Sequence, residues 1–197
     1  MSTKLRVLCL HGYAQSAQKF RERTGPFRRS LKNELDLHFI TAPHIATEYE
    51  GSAWWNRRQE PAHIWAEVQA SLELIARTVE EEGPFDGVLG FSQGAGMAAI
   101  ALAKGIKMGA FAILVAGFLP DMGEFAEALN KGGPISIPAL VVVGDTDEIV
   151  PAERGRLLAE KAFAQGLAQV QTHEGGHFLP CNAAWRAKYR EFLTSVL

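Results

Sequence analysis

The sequence predicts an α/β fold in which about six mostly parallel strands are covered by helices on both faces. Two observations indicate this class. Short apolar runs alternate along the chain with longer segments whose apolar residues recur at helical spacing. Several of the runs are continuously apolar, which is typical of parallel strands buried between two layers of helices. We find no internal repeat, linker or low-complexity segment, so we expect one domain over residues 1–197.

The first half of the chain predicts two strands, one interrupted helix and a long loop. A strand over 6–10 precedes a helix over 16–31, which Gly25-Pro26 must kink or split. The segment 35–40 alternates like a strand. Residues 44–62 then lack periodicity, and a loop of this length in a compact domain is often functional.

The second half repeats strand and helix more regularly. Its first helix has an apolar stripe over 64–79 and is closed by Gly83-Pro84. The remaining strands are predicted over 85–89, 110–115, 137–143 and 168–172. The remaining helices are predicted over 95–105, 123–129, 152–165 and from Asn182 onward.

Composition excludes several classes of function. A hydrophobic content of 47% and a charged content of 21% are ordinary for a soluble globular protein. A net charge of −2 gives no reason to expect nucleic acid or an anionic membrane as partner. The distant Cys9 and Cys181 suit neither a disulfide framework nor a metal site, so we expect no metal. Neither a signal peptide nor an apolar run of about 18 residues is evident, and a cytoplasmic location is expected.

Residues 90–94 read Gly-Phe-Ser-Gln-Gly and match the nucleophile-elbow pattern G-x-S-x-G. A predicted strand precedes them and a small-residue helix follows, which is the context that the pattern requires. The glycines allow a tight turn that exposes Ser92, and the helix N-terminus directs N–H groups to the same space. The simpler alternative is a structural turn.

Ligands of parallel sheets bind beyond the carboxyl ends of the strands. Ser92 follows the third predicted strand, Asp147 the fifth and His177 the sixth. This is the chain order Ser, Asp, His of the α/β-hydrolase triad. A serine hydroxyl needs a neighbouring imidazole as base, and the carboxylate fixes the imidazole tautomer.

Two other aspartates compete for the acid position. Asp121 could cap the helix near Gly123, and Asp145 could organise its own turn through bonds to the backbone. Asp147 lies deeper in the loop, where a carboxylate can face a histidine loop, and we favour it.

Among six histidines, His177 is favoured as the base because it follows the mobile Gly175-Gly176. His38 is expected to be structural or exposed, and His173 lies nearer the sheet than a triad histidine normally needs. His44 and His63 could line a pocket, with surface positions as the simpler interpretation. His11 lies at the end of the first strand, where we expect it to order a loop rather than to transfer a proton. That loop should supply the Tyr13 backbone N–H to an oxyanion hole, together with the N–H of Gln93.

Four segments carry a resemblance to a known family: residues 6–13, 90–94, 144–151 and 175–177. The chain resembles the FSH family of small serine hydrolases over almost its whole length. The resemblance implies an α/β-hydrolase fold, a triad of Ser92, Asp147 and His177, and hydrolysis of carboxylic esters or thioesters without a cofactor. Fungal members release polyketides, so a dedicated biosynthetic thioesterase is an alternative. A peptidase, a carbon–carbon hydrolase and a binding module with a decayed triad are further alternatives.

The segment 118–140 is too short for the helical lid of many lipases, so we expect an open site and a small-molecule acyl substrate. An apolar acyl pocket could be lined by Trp54, Trp55, Phe118, Leu119 and Phe178. Ordinary packing is the alternative for each. Arg57-Arg58 could meet an anionic substrate group, with a solvated surface pair as the alternative.

Overall fold

A computed structural model describes residues 4–196, and its main element is a sheet of six parallel strands. The strands of the chain are β1 (Leu5–Leu10), β2 (Leu35–Ile40), β3 (His44–Ile45), β4 (Ser52–Ala53), β5 (Gly87–Phe91), β6 (Phe111–Val115), β7 (Ala139–Gly144) and β8 (Ala168–His173). The order in the large sheet is β2-β1-β5-β6-β7-β8, with every pair parallel. β3 and β4 form a separate antiparallel hairpin.

Seven helices surround the large sheet within the described residues. They are α1 (Ala17–Arg23), α2 (Gly25–Ser30), α3 (Pro61–Glu82), α4 (Gln93–Ala103), α5 (Gly123–Gly132), α6 (Ala152–Ala162) and α7 (Ala183–Ser195). Alternate residues of the strands enter two separate cores: Leu8 packs with α3 and α4, whereas Val7 packs with α1, α2 and α7. The predicted parallel sheet with helices on both faces is therefore confirmed.

The structure differs from the sequence predictions mainly at element boundaries. The helix predicted over 16–31 is divided at Thr24 into α1 and α2, with Pro26 in the first turn of α2. β5 includes Gly90 and Phe91, two residues beyond its predicted end. Just before β5, the Asp86 carboxylate accepts the Arg6 N–H at 2.7 Å.

The long loop over 44–62 contains the β3–β4 hairpin, which sequence reasoning did not predict. Strands of two residues are too short to show alternation. A bridge between Gln15 and Ser52 fastens the hairpin to the segment after β1. This contact brings the loop to the carboxyl edge of the sheet.

The connection from β6 to β7, where many lipases insert a helical lid, holds one ten-residue helix, α5. Within residues 4–196, no helix has the length and apolar character that crossing a membrane requires.

Candidate active site

Ser92 lies at a sharp turn between β5 and α4. Its backbone has φ 53° and ψ −117°, a left-handed conformation that costs a non-glycine residue energy. A Cβ atom at Gly90 would lie 2.5 Å from the Cα of Ala95. A Cβ atom at Gly94 would overlap carbonyl oxygens at the end of β1. Both glycines are therefore required for the close approach of the turn to its neighbours, as the elbow pattern predicts.

The loop after β7 holds a buried carboxylate against an imidazole. Asp147 Oδ2 lies 2.7 Å from Nδ1 of His177, and the Asp147 side chain is 0% exposed. The other oxygen, Oδ1, accepts the backbone N–H groups of Ile149 at 2.9 Å and Val150 at 2.8 Å. Because Nδ1 of His177 is hydrogen-bonded to Asp147, Nε2 is the ring nitrogen that can exchange a proton with a reacting group.

The competing aspartates lie elsewhere. Asp145 is exposed, and its backbone N–H donates to the carbonyl of His173. Asp121 is exposed and lines a different cavity, beside Trp55 and α5. Among the described residues, Asp147 is the carboxylate that binds His177.

Ser92 and His177 line one cavity of about 510 Å³, which also reaches Tyr13 and Gln93. Of the six histidines, all within the described range, His177 alone lines this cavity. The hydrogen bonds described for residues 4–196 include none between Ser92 Oγ and the His177 ring. Bonds of this kind often become short and aligned only when substrate is bound.

His173 supports the loop that carries His177. It is buried at the end of β8, and its Nδ1 accepts the Gly175 N–H at 3.2 Å. Burial lowers the pKa of His173 despite the opposing charges of Asp147 and Asp145. A lowered pKa favours the neutral ring, in which Nδ1 can accept the Gly175 N–H.

His11 orders the loop after β1, as the sequence predicts. Its Nε2 accepts the Ala42 N–H at 3.0 Å, so the proton of the neutral ring lies on Nδ1, which donates to the Gly12 carbonyl at 2.7 Å. Burial lowers the pKa of His11 to about 4, and the ring is neutral at pH 7. The Gly12 carbonyl and the Tyr13 N–H belong to one planar peptide, so His11 fixes the direction of that N–H.

The side chain of Gln93 has a role that sequence reasoning missed. Its Oε1 accepts the Trp54 N–H at 3.0 Å, and its Nε2 donates to the Trp55 carbonyl at 2.6 Å. No local signal could have indicated these partners, because they lie in a loop some 40 residues earlier in the chain.

The structure brings only part of the predicted acyl pocket to the Ser92 cavity. Phe118 lines it, as expected for a pocket residue. Trp54 is 0% exposed and belongs to the core, and Trp55 lies behind Phe118 on a second cavity. Leu119 packs against the core, and Phe178 is half exposed on a neighbouring groove. Apolar character alone did not indicate which of these rings faces the serine.

Other side chains of the cavity wall were not predicted: Arg23, Tyr49, Ile149 and Arg154. They come from α1, the long loop, the Asp147 loop and α6. Packing of distant elements places them together, and no sequence pattern marks them. Within residues 4–196, no group of three His, Cys, Asp or Glu side chains is arranged to hold a metal ion.

Solved structures of esterases share this architecture. The crystal structure of esterase PE8 superimposes with a TM-score of 0.76 at 22% identity, covering 100% of this chain and 94% of that one. Acyl-protein thioesterase 2 of Zea mays gives a TM-score of 0.68 at 18% identity over 99% of this chain and 94% of that one. At these identities the likeness shows the α/β-hydrolase fold.

Sequence relatives and a family model cover nearly the whole chain. Esterase OVCA2 of Mus musculus is 37% identical over 96% of this chain and 95% of its own length. Esterase CG5412 of Drosophila melanogaster is 34% identical over 100% of this chain and 76% of its own length. The model described as serine hydrolase (FSH1) matches residues 1–189. The chain therefore belongs to the FSH1 family and is a serine hydrolase, as the resemblance of its motifs indicated.

Proposed function

We propose that this serine hydrolase cleaves carboxylic esters or thioesters through an acyl-enzyme on Ser92, with His177 as base and Asp147 as the carboxylate that orients it. The observation that supports this assignment best is the 2.7 Å contact between His177 and Asp147 beside the strained Ser92 elbow. All three side chains follow carboxyl ends of strands in the one sheet, where hydrolases of this fold carry their triads. No cofactor is needed for this chemistry.

In the first half of the reaction, Ser92 Oγ attacks the substrate carbonyl carbon while Nε2 of His177 takes its proton. The buried Asp147 carboxylate stabilises the imidazolium that forms. The tetrahedral intermediate then collapses, and His177 gives the proton to the leaving alcohol or thiol. An ester between Ser92 and the acyl group remains.

In the second half, water attacks the acyl-enzyme and gives a proton to His177. Collapse releases the carboxylic acid, and the proton returns to Ser92 Oγ. One water is consumed for each bond cleaved, and the enzyme returns to its starting state.

The oxyanion of each tetrahedral intermediate would be held by the backbone N–H groups of Tyr13 and Gln93. Both residues line the Ser92 cavity, and Gln93 begins α4, whose N-terminus favours negative charge. The His11 hydrogen bond to Gly12 holds the Tyr13 peptide in place. One such donor contributes about 3 kcal/mol to lowering the barrier in studied hydrolases.

Thioesters are the second substrate class that an observation favours, because the similar structure from Zea mays is that of an acyl-protein thioesterase. Rates of hydrolysis of paired oxygen and sulfur esters of the same acyl group, measured over a series of chain lengths, would show whether esters or thioesters are preferred. A dedicated polyketide thioesterase would favour long thioesters over short esters. Amide and diketone substrates test the peptidase and carbon–carbon hydrolase alternatives.

The assignment is tested with Ser92→Ala and a p-nitrophenyl ester. We expect Ser92→Ala to lose hydrolysis and covalent labelling by a fluorophosphonate probe while keeping its circular dichroism spectrum. The exposed Ser136 provides a control, since Ser136→Ala should keep both activities. If Ser92→Ala kept most of the ester hydrolysis, the proposal would be overturned. Failure of the wild-type protein to react with the probe would favour a binding module instead.

A further inference from the structure

The wall of the Ser92 cavity carries three arginines, Arg23, Arg57 and Arg154, and no aspartate or glutamate among the described residues that line it. The whole chain has 20 Lys and Arg against 22 Asp and Glu, so a wall of one sign departs from its overall balance. The three residues come from α1, the loop before α3 and α6. Arginines from three separate elements thus place positive charge on the wall of one cavity.

Arg154 is held without a carboxylate partner. Its guanidinium carbon lies 4.8 Å from the centre of the Phe118 ring, on the cavity wall. Within the described part of the chain, no carboxylate lies at ion-pairing distance from Arg154. Arg154 also lies in the first turn of α6, where the helix dipole disfavours a cation. Within the described residues the Arg154 guanidinium packs on the Phe118 ring and makes no hydrogen bond, so its N–H donors are available to an anion in the cavity.

Arg57 is only loosely paired. Glu48 Oε1 lies 2.7 Å from Nε of Arg58, whereas Glu48 Oε2 lies 3.8 Å from Nη2 of Arg57, so the contact with Arg57 is the longer of the two. The Arg57 side chain is 58% exposed and packs over the Tyr13 ring at 5.2 Å. It already lines the Ser92 cavity beside the predicted oxyanion loop, where a ligand could reach it.

We propose that the preferred substrate is an ester or thioester that carries a negatively charged carboxylate or phosphate, held by Arg57 and Arg154 while its carbonyl lies at Ser92. This proposal rests on the function proposed above. A guanidinium binds either anion through paired N–H donors, and a wall of one sign attracts such substrates from solution. The exposed side chains of Tyr49 and Ile149 on the same wall would contact the carbon chain of the substrate.

The carboxylate is tested with the p-nitrophenyl monoester of glutaric acid against p-nitrophenyl pentanoate, a neutral ester of matched length. The phosphate is tested with an acyl-coenzyme A against the same acyl group on N-acetylcysteamine. We expect kcat/KM to be higher for the charged member of at least one pair, and this preference to weaken as salt is added. The pair that shows the preference identifies the anion.

The Arg57→Gln and Arg154→Gln substitutions should each lower the charged-to-neutral ratio of kcat/KM, on the order of tenfold for a lost charge-assisted contact. Arg156→Gln is the matched control, because Arg156 lies on the same helix but donates to Thr172 at 3.2 Å. Its ratio should stay that of the wild type. No preference in either pair, or a preference that survives the double substitution, would overturn the inference.

Hydrolysis of the neutral esters and fluorophosphonate labelling of Ser92 separate this inference from the proposed function. Labelling and neutral hydrolysis without an anion preference would refute the anionic substrate alone. If the wild-type protein showed neither labelling nor hydrolysis of neutral esters, the triad assignment itself would be refuted.

Discussion

The side-chain oxygen of Gln93 accepts a hydrogen bond from the backbone N–H of Trp54 at 3.0 Å, across 39 residues of sequence. The amide nitrogen of the same side chain donates to the Trp55 carbonyl at 2.6 Å. Trp54 in turn donates from its indole nitrogen to the carbonyl of His11 at 2.8 Å. Gln93, the residue after the serine, is thus bonded to the long loop and, through Trp54, is connected to the loop after β1.

Gln93→Ala should destabilise the protein, because it leaves the Trp54 N–H and the Trp55 carbonyl buried without these partners. Each unsatisfied buried group costs about 1–3 kcal/mol, so the loss of both partners should lower the free energy of unfolding by about 2–6 kcal/mol. Urea unfolding measures the change. Gln69→Ala, on an exposed position of α3, should change it by less than about 0.5 kcal/mol. Equal effects of the two substitutions would refute the role given to Gln93.

Asp147→Asn should lower kcat by about 10⁴-fold, the effect of the same change in a serine protease triad. The amide cannot stabilise the His177 imidazolium, and it favours the wrong tautomer of the ring. Ester hydrolysis under saturating substrate measures the loss. Asp145→Asn is the matched control two residues away, and we expect it to keep most of the activity because Asp145 is exposed. If Asp145→Asn were the inactive variant, the assignment of the acid would be wrong.

The parts of the site predicted from sequence are those with a local signature. The strand, turn and helix around Ser92 occupy consecutive residues, and the strand ends before Asp147 and His177 mark one edge of a parallel sheet. Fold class and the placement of these three residues follow from such patterns.

The parts that escaped prediction depend on contacts between distant segments. The partners of the Gln93 side chain lie in a loop without periodicity, and Arg154 reaches the cavity only because α6 packs where it does. The apolar residues predicted for the pocket could equally fill the core, and Trp54 does so with 0% exposure. Residue type gives the chemistry of a side chain, but tertiary packing decides the direction in which it points.

The stability of the protein should fall as pH decreases from about 6.5 to about 4, in part because of His11. Burial lowers the pKa of His11 from 6.5 to about 4, so in this range the unfolded chain binds a proton that the folded protein does not. The contribution is fully present above pH 6.5 and amounts to about 3 kcal/mol. Below about pH 4 it has been lost.

Urea unfolding of the wild type and of His11→Gln at pH 7.5 and pH 4.5 tests this origin. The wild type should lose more stability over the interval, because glutamine does not titrate. An equal loss in both proteins would refute the role of His11. If His11→Gln does not fold, an NMR titration of the wild-type imidazole gives the same test, with a midpoint near 6.5 contradicting the prediction.

Two glycines of α4, two residues apart, should respond in opposite ways to alanine. A Cβ atom at Gly94 would lie 2.5 Å from the carbonyl oxygen of His11 and closer still to that of Leu10, both of them backbone atoms. The elbow and the loop after β1 would have to separate. We expect Gly94→Ala to lose both stability and esterase activity. A Cβ atom at Gly96 would have its nearest neighbours at 3.4 Å, which is ordinary contact with Pro120 and Trp55.

Gly96→Ala is therefore the matched control, since alanine favours a helix interior over glycine by up to about 1 kcal/mol. It should leave the free energy of unfolding unchanged or raised, with esterase activity retained. Urea unfolding and p-nitrophenyl ester hydrolysis of the two variants measure the contrast. Wild-type activity in Gly94→Ala would show that the turn tolerates a side chain there and that the close approach of α4 to β1 is not required for catalysis.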